Sequence, residues 1–202
     1  MISSFLTLIE KKYNDQLDEK GRQYIHYAVD GSKRMKTIIM DLLEYSRAGR
    51  LEYPKEMVNL NVLIEEISGL FAKIINDTQA EIIHDELPTL QFQKTPIRQV
   101  FFNLIGNSLK YRKENPPPKI QIKALDHETE WEFIISDNGI GIANEYQSRV
   151  FNLFQRLHHR DEIEGSGLGL SLCKKIIENQ GGEIWLVSET NVGTQVHFTL
   201  PK

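Results

Sequence analysis

Three polar side chains on one predicted helix are the first candidates for chemistry. Between about Thr95 and Arg112, Ile97, Val100, Phe101, Leu104 and Ile105 recur at core-facing spacing. At 100° per residue, Asn103, Asn107 and Lys110 fall within about 60° of one another on a different face. Such a stripe fits either an ordinary solvated face or a site for a polar ligand. Exposed faces favour Glu, Lys and Arg, and Asn costs helix propensity. An amide oxygen can coordinate Mg²⁺, and a Lys can meet phosphate oxygens. Two glycine-rich segments add to this. Asp137-Asn138-Gly139-Ile140-Gly141-Ile142 follows an apolar run. Its glycines let backbone approach a ligand, and its Asp can accept a hydrogen bond from an exocyclic amine. Gly165-Ser166-Gly167-Leu168-Gly169-Leu170 runs directly into a helix, whose free N–H groups and dipole make an anion site. Either segment alone can be simple punctuation. The second is not a dinucleotide fingerprint, because the charged stretch Arg160–Glu164 precedes it where a strand is required. No Gly-Lys-Ser/Thr ending marks a P-loop either.

The elements that must hold these residues divide the chain in two. Residues 1–50 contain no Pro and read as helix. Ile25, Ala28, Ser32, Met35, Ile39, Leu42 and Ser46 are spaced 3, 4, 3, 4, 3, 4, a heptad seam that Ile38 and Leu43 widen. Ile2, Phe5, Leu8 and Ile9 mark a shorter helix upstream, and the polar link Tyr13–Gln16 makes the two an antiparallel hairpin. Such a hairpin cannot bury its own seam, so pairing with a second copy into a four-helix bundle is expected, in preference to docking on the rest of the chain. Beyond Pro54, Asn61 is read as the N-cap of a helix over 62–75, and Thr95 as the cap of the asparagine-bearing helix with Pro96 at its first position. Strands are expected near 81–84, 90–92, 119–125, 130–136, 183–188 and 194–200, with a helix over 168–179 stopped by Gly181-Gly182. Helices interleaved with mostly adjacent strands give an α/β or α+β body with a mixed sheet.

Composition excludes several classes. The 202 residues are 40% hydrophobic and 26% charged, as in ordinary globular proteins. A net charge of −4 without a basic stripe argues against nucleic acid. No apolar run approaches the ~18–20 residues that span a bilayer. There is no secretory signal, and the lone Cys173 fits a reducing compartment, so a cytoplasmic location is expected.

QVFFNLIGNSLKY, DNGIGI, VFNLFQR, GSGLGL and a late Gly193-Thr194 stand in that order over about a hundred residues. Together they resemble the ATP-binding domain of two-component sensor histidine kinases, members of the GHKL superfamily. The run LCKKIIENQGGEIWLVSE resembles kinases that follow PAS or phytochrome-type sensors. Asp41-Leu42-Leu43-Glu44-Tyr45-Ser46-Arg47 resembles the second helix of the dimerisation and phosphoacceptor domain. The resemblance implies an α+β, two-layer α/β sandwich of the Bergerat type, with a mixed sheet carrying helices on one face. It implies a dimerisation hairpin over residues 1–53 and a catalytic ATP-binding domain over 54–202. Residue by residue, Asn107 would ligate Mg²⁺, Asn103 and Lys110 would contact phosphates, and Tyr111 would lie along the nucleotide. Asp137 would bind the adenine amine, supported by Gly139, Gly141, Ile142 and Thr194. Gly165, Ser166, Gly167, Leu168 and Gly169 would close on the phosphates. Residues 155–164 would form a lid with Phe151 and Phe154 at its base, and Arg156, His158, His159 or Arg160 would either reach the γ-phosphate or belong to a solvated loop. Implied partners are a second copy, a response-regulator receiver domain and an upstream sensor domain.

In hydrolysing relatives a Glu one turn before the Mg²⁺-binding Asn activates water. That position is Asn103, which cannot act as a base, so phosphoryl transfer is expected over hydrolysis. The expected nucleophile is a histidine imidazole. None of His26, His84, His127, His158, His159 and His197 fits the family's phosphoacceptor motif; His84-Asp85-Glu86-Leu87-Pro88 imitates it in a strand-and-turn context. The opening Met1-Ile2-Ser3-Ser4-Phe5 resembles the sequence just after that motif. The expectation is therefore a chain cut within the first helix, unable to autophosphorylate by itself. A serine kinase of the same superfamily and a nucleotide-binding module that only dimerises are the alternatives. The hairpin's ending argues against the first, and the intact polar and glycine set against the second.

Overall fold

A computed structural model describes residues 1–48, 54–155 and 166–202. It divides into two compact units, Met1–Glu44 and Tyr45–Lys202. The division falls inside the second helix, earlier than the expected 53/54 boundary, and residues 49–53 lie outside the described residues.

The first unit pairs α1 (Ile2–Tyr13) with α2 (Glu19–Arg47) across a 3₁₀ turn at Asn14–Gln16. Ser3 and Ser32 share a hydrogen bond at 2.6 Å between their hydroxyls. Only Val29 and Ser32 are buried on α2. The face toward α1 thus differs from the expected seam: Val29 is buried, whereas Ala28 is exposed. Phe5, Leu8, Met35, Ile39 and Leu42 are 45–63% exposed.

The second unit continues with β1 (Glu56–Asn59), α3 (Leu60–Leu70), α4 (Ala72–Thr78), β2 (Glu81–His84), β3 (Thr89–Phe92) and α5 (Lys94–Lys110). It ends with β4 (Lys119–Asp126), β5 (Glu130–Asp137), α6 (Asn144–Gln147), α7 (Gly169–Asn179), β6 (Ile184–Glu189) and β7 (Gly193–Pro201). Strands β1 and β3 form a separate antiparallel pair, and the main sheet has the order β2-β4-β5-β7-β6. Only β2–β4 is parallel, so the sheet is mixed as expected. Strand alternation turns Ile120, Ile122, Phe133, Ile135, Val196, Phe198 and Leu200 inward, where they join buried side chains of α3, α5 and α7. At the centre, Phe133 stacks on Phe198 at 5.0 Å, and Phe101 of α5 meets both edge-on at 5.9 and 5.6 Å. Among the described residues no helix is long and apolar enough to cross a membrane.

Two helix starts differ from expectation. The N-cap of α3 is Asn59, whose side chain accepts from the N–H groups of Asn61 and Val62; the Asn61 amide instead bridges the backbone of Leu87 in both directions, at 2.8 and 2.9 Å. The expected single helix over 62–75 is broken at Phe71, whose ring stacks on Phe102 at 4.9 Å. Helix α5 begins at Lys94 with Gln93 as a cap lacking a side-chain bond. Thr95 and Pro96 therefore lie inside the first turn, where a missing N–H costs nothing.

Phe101→Ala removes the side chain that both sheet phenylalanines contact. It is expected to cost the second unit ~3–5 kcal/mol, read as a shift in the midpoint of denaturant unfolding.

Candidate functional site

Helix α5, the end of β5, the loop after it and the inward positions of β6 and β7 enclose a cleft. Its walls are mostly apolar, with Leu104, Ile140, Ile142, Val150, Leu170, Leu186 and Val196 forming a slot suited to a flat, weakly polar group. Polar atoms enter from Asn107, Ser108, Tyr111, Asp137, Gln155 and Thr194.

Asp137, the last residue of β5, is largely enclosed. Its Oδ2 accepts from the Ser108 hydroxyl at 3.0 Å. Its Oδ1 accepts from the backbone N–H groups of Gly139 at 2.9 Å and Thr194 at 3.2 Å. Burial pushes its carboxyl above the usual range, and these donors, with the charge of Lys113, oppose that rise. The chain closes tightly around it: a Cβ on Gly193, whose φ is +148°, would collide with the Asp137 carbonyl oxygen. A Cβ on Gly141, at φ +70°, would collide with the Glu189 carbonyl oxygen. Both positions need glycine.

A second network fastens the loop to the strands. Ser188, inward on β6, accepts from the Ile142 N–H at 2.8 Å and donates to the Gly193 carbonyl at 2.8 Å; its Oγ lies 2.9 Å from the Thr194 hydroxyl. Gln147 donates from Nε2 to the carbonyls of Ile142 and Ser188.

The structure gathers Asn107, Tyr111, Asp137, Gly141, Ile142 and Thr194 on the cleft wall. Gly139 stands beside them, bonded to Asp137. Asn103 is turned toward α7, with its Nδ2 donating to the Gly169 carbonyl at 3.4 Å and its Oδ1 accepting from Gln99. Lys110 lies outside the cleft, with Nζ 3.1 Å from the Tyr111 hydroxyl and 4.6 Å from the centre of that ring. Ser166 accepts from the Leu168 N–H, Gly167 is left-handed at φ +76°, and α7 starts at Gly169 without a side-chain cap, leaving its first N–H groups free of one. Phe154 is 53% exposed at φ +61°, and Phe151 is half-buried; most of the lid they were expected to anchor lies outside the described residues. Arg156, His158, His159, Arg160 and Gly165 lie outside the described residues.

Sequence reasoning missed Ser108 and Ser188. Ser108 continues the buried face of α5 one turn beyond Leu104, a polar residue on an apolar face. In Ile184-Trp185-Leu186-Val187-Ser188, Ser188 occupies an inward position, where a polar residue requires a partner. Among the described residues no group of three His, Cys, Asp or Glu could cage a metal. A lone amide oxygen at Asn107 fits an ion such as Mg²⁺, which is commonly held by substrate phosphates and water with few protein ligands.

An acceptor at one end of an apolar slot and, among the described residues, a helix start without a side-chain cap stand together on an α+β domain. Residues 93–202 match the family described as Histidine kinase-, DNA gyrase B-, and HSP90-like ATPase, and the chain belongs to that family. Cyanobacterial phytochrome A of a Nostoc species is 40% identical over 200 residues, covering 99% of this chain and 26% of that protein. The chain thus spans about a quarter of the length of this curated relative. The catalytic domain of histidine kinase ThkA superposes with a TM-score of 0.62 at 32% identity, covering 73% of this chain and 97% of that one. ThkA in complex with the response regulator protein TrrA gives a TM-score of 0.71 at 28% identity, over 98% of this chain and 57% of that one.

Asp137→Asn preserves shape and removes the buried charge. Because burial raises the folded-state pKa, this carboxyl's contribution to stability is present below the ordinary carboxylate range and is lost as pH rises through the raised value. The variant is expected to be no less stable than the parent at neutral pH and to lack that falling limb. Denaturant unfolding at a series of pH values measures both, and a variant clearly less stable at neutral pH would overturn the assignment.

Proposed function

We propose that residues 54–202 form the ATP-binding catalytic domain of a sensor histidine kinase, which transfers the γ-phosphoryl group of Mg-ATP to a histidine for relay to a response-regulator aspartate. The observation that carries this reading is Asp137, held as an acceptor in an apolar slot by donors from three elements. In this reading the adenine enters the slot and its amine donates to Asp137. Gly141, Ile142 and Thr194 bound the base, and Tyr111 lies along the nucleotide. The phosphates extend toward the start of α7, where the N–H groups of the segment Gly165, Ser166, Gly167, Leu168 and Gly169 and the helix dipole stabilise negative charge. Asn107 places its amide oxygen for the Mg²⁺, whose bound charge neutralises the phosphates. Lys110 reaches a phosphate by leaving Tyr111. Asn103 holds α5 to α7 and, having no basic atom at neutral pH, does not activate water. An imidazole nitrogen then forms the P–N bond as the bond from the γ-phosphorus to the β–γ bridging oxygen breaks, and ADP leaves.

The hairpin supports pairing with a second copy. Met35, Ile39 and Leu42 leave about half of their surface exposed, and aliphatic residues at a and d spacing associate in water. ThkA's complex with a response regulator supports a receiver-domain partner for this chain as well, with a sensor domain upstream in the whole kinase, in the cytoplasm. The chain's own histidines do not serve as acceptor. His84 lies in β2 opposite Ile122, and His197 lies in β7 bonded to Glu132.

Incubated alone with γ-labelled Mg-ATP, the 202 residues are expected to give no acid-labile, alkali-stable phosphohistidine. Supplied with a separate histidine-bearing helical domain of a homologous kinase, they are expected to phosphorylate it, and Asn107→Asp is expected to reduce transfer by on the order of 100-fold or more. Tight ATP binding without transfer would overturn the kinase reading in favour of a binding module. Ile39→Glu with Leu42→Glu is expected to convert a dimer to a monomer in analytical ultracentrifugation, with nucleotide affinity unchanged.

A further inference from the structure

We infer that Ser188, which lies behind the cleft, sets which hydrogen-bonding edge of a base the cleft accepts, by fixing the direction of the Thr194 hydroxyl. A hydroxyl carries one proton and two lone pairs. Three short contacts converge on Ser188: the Ile142 N–H at 2.8 Å, the Gly193 carbonyl at 2.8 Å and the Thr194 hydroxyl at 2.9 Å. The Ile142 N–H can only donate and the Gly193 carbonyl can only accept. One proton arrangement alone puts a hydrogen in all three contacts. Ser188 donates to Gly193, and Thr194 donates to Ser188. If Ser188 instead donated to Thr194, two oxygens would face each other at 2.8 Å with no proton between them. The proton of Thr194 is therefore directed away from the cleft it lines, and its lone pairs face inward.

The neighbouring donors are committed in the same way. The N–H groups of Gly139 and Thr194 and the hydroxyl of Ser108 all point at Asp137. Of the groups described there, Asp137 and the Thr194 hydroxyl consequently present acceptors to the cleft, and these three donors are turned away from it. A ligand edge there must bring donors. The 6-amino group of adenine does so, and the adjacent ring nitrogen, itself an acceptor, reaches Thr194 only through a water that donates to both. Hypoxanthine replaces the amine with a carbonyl and meets like polarity.

This inference rests on the nucleotide reading above, and the experiment separates the two. Affinities of the full chain for ATP, ITP and 1-deaza-ATP are measured by calorimetry, for the parent and for Ser188→Ala. A parent that binds none of them overturns the nucleotide reading and this inference with it. The parent is expected to prefer ATP to ITP by at least ~100-fold, because a site built for a hydrogen-bonding group rejects the analogue lacking it. Ser188→Ala frees the Thr194 proton to turn inward, and is expected to narrow that ratio by ~10-fold or more. Equal weakening of both nucleotides would reduce Ser188 to a structural role and overturn the inference. The parent alone gives a second test that does not depend on the variant folding. Loss of the ring nitrogen in 1-deaza-ATP is expected to cost less than ~10-fold, as for a water-mediated contact. A loss near ~100-fold would mean that Thr194 donates directly, and would overturn it.

Discussion

The site depends on keeping one carboxylate ionised in an enclosed place. Burying a charge without partners is costly enough that the group protonates instead, and Asp137 is pushed in that direction. Its donors come from three parts of the chain: Ser108 at the end of α5, Gly139 in the loop after β5, and Thr194 at the start of β7. None is adjacent to the others in sequence, so a helix and two strands must be held in register to within a hydrogen bond's tolerance.

The core supplies that register from the same three elements. Phe101 and Ser108 are two helical turns apart on one face of α5, about 10.5 Å along its axis. Phe133 and Asp137 are four residues apart on β5, and Thr194 and Phe198 four apart on β7, about 13 Å in each case. The cluster of Phe101, Phe133 and Phe198 and the group of Ser108, Asp137 and Thr194 are therefore two cross-sections through one packing of α5 against β5 and β7. The aromatic layer is fully buried, and its edge-to-face contacts fix rotation as well as distance. The polar layer inherits that geometry, which is why a carboxylate can be aimed with only short hydrogen bonds to hold it.

Much of this was legible in the sequence. The face of α5 formed by Ile97, Val100, Phe101, Leu104 and Ile105 is buried as its spacing requires, and each strand of the main sheet lies within a residue or two of its expected place. The glycine segments were also visible, because conformations such as that of Gly141 leave few alternatives. Local chemistry with two equivalent solutions was not legible. Asn59 and Asn61 could each cap α3, and the choice is made by the Leu87 backbone, which takes the Asn61 amide. The break at Phe71 comes from a ring on α5, far away in sequence. Lys110 was read from the polar stripe of α5 and Phe154 from the motif alone, and neither lies on the cleft wall.

The two units differ in the source of their stability. The second buries a continuous core of its own between sheet and helices. The first buries only Val29 and Ser32 on its long helix and leaves larger aliphatic side chains in water. Helices of this kind draw most of their stability from tertiary packing of an apolar face, since propensity alone leaves them marginal. If a second copy supplies that packing, folding of the hairpin is linked to protomer concentration while folding of the nucleotide domain is not. The hairpin then becomes the element most open to control by whatever sets that pairing, whereas the described hydrogen bonds that fix Asp137 all lie within the second unit.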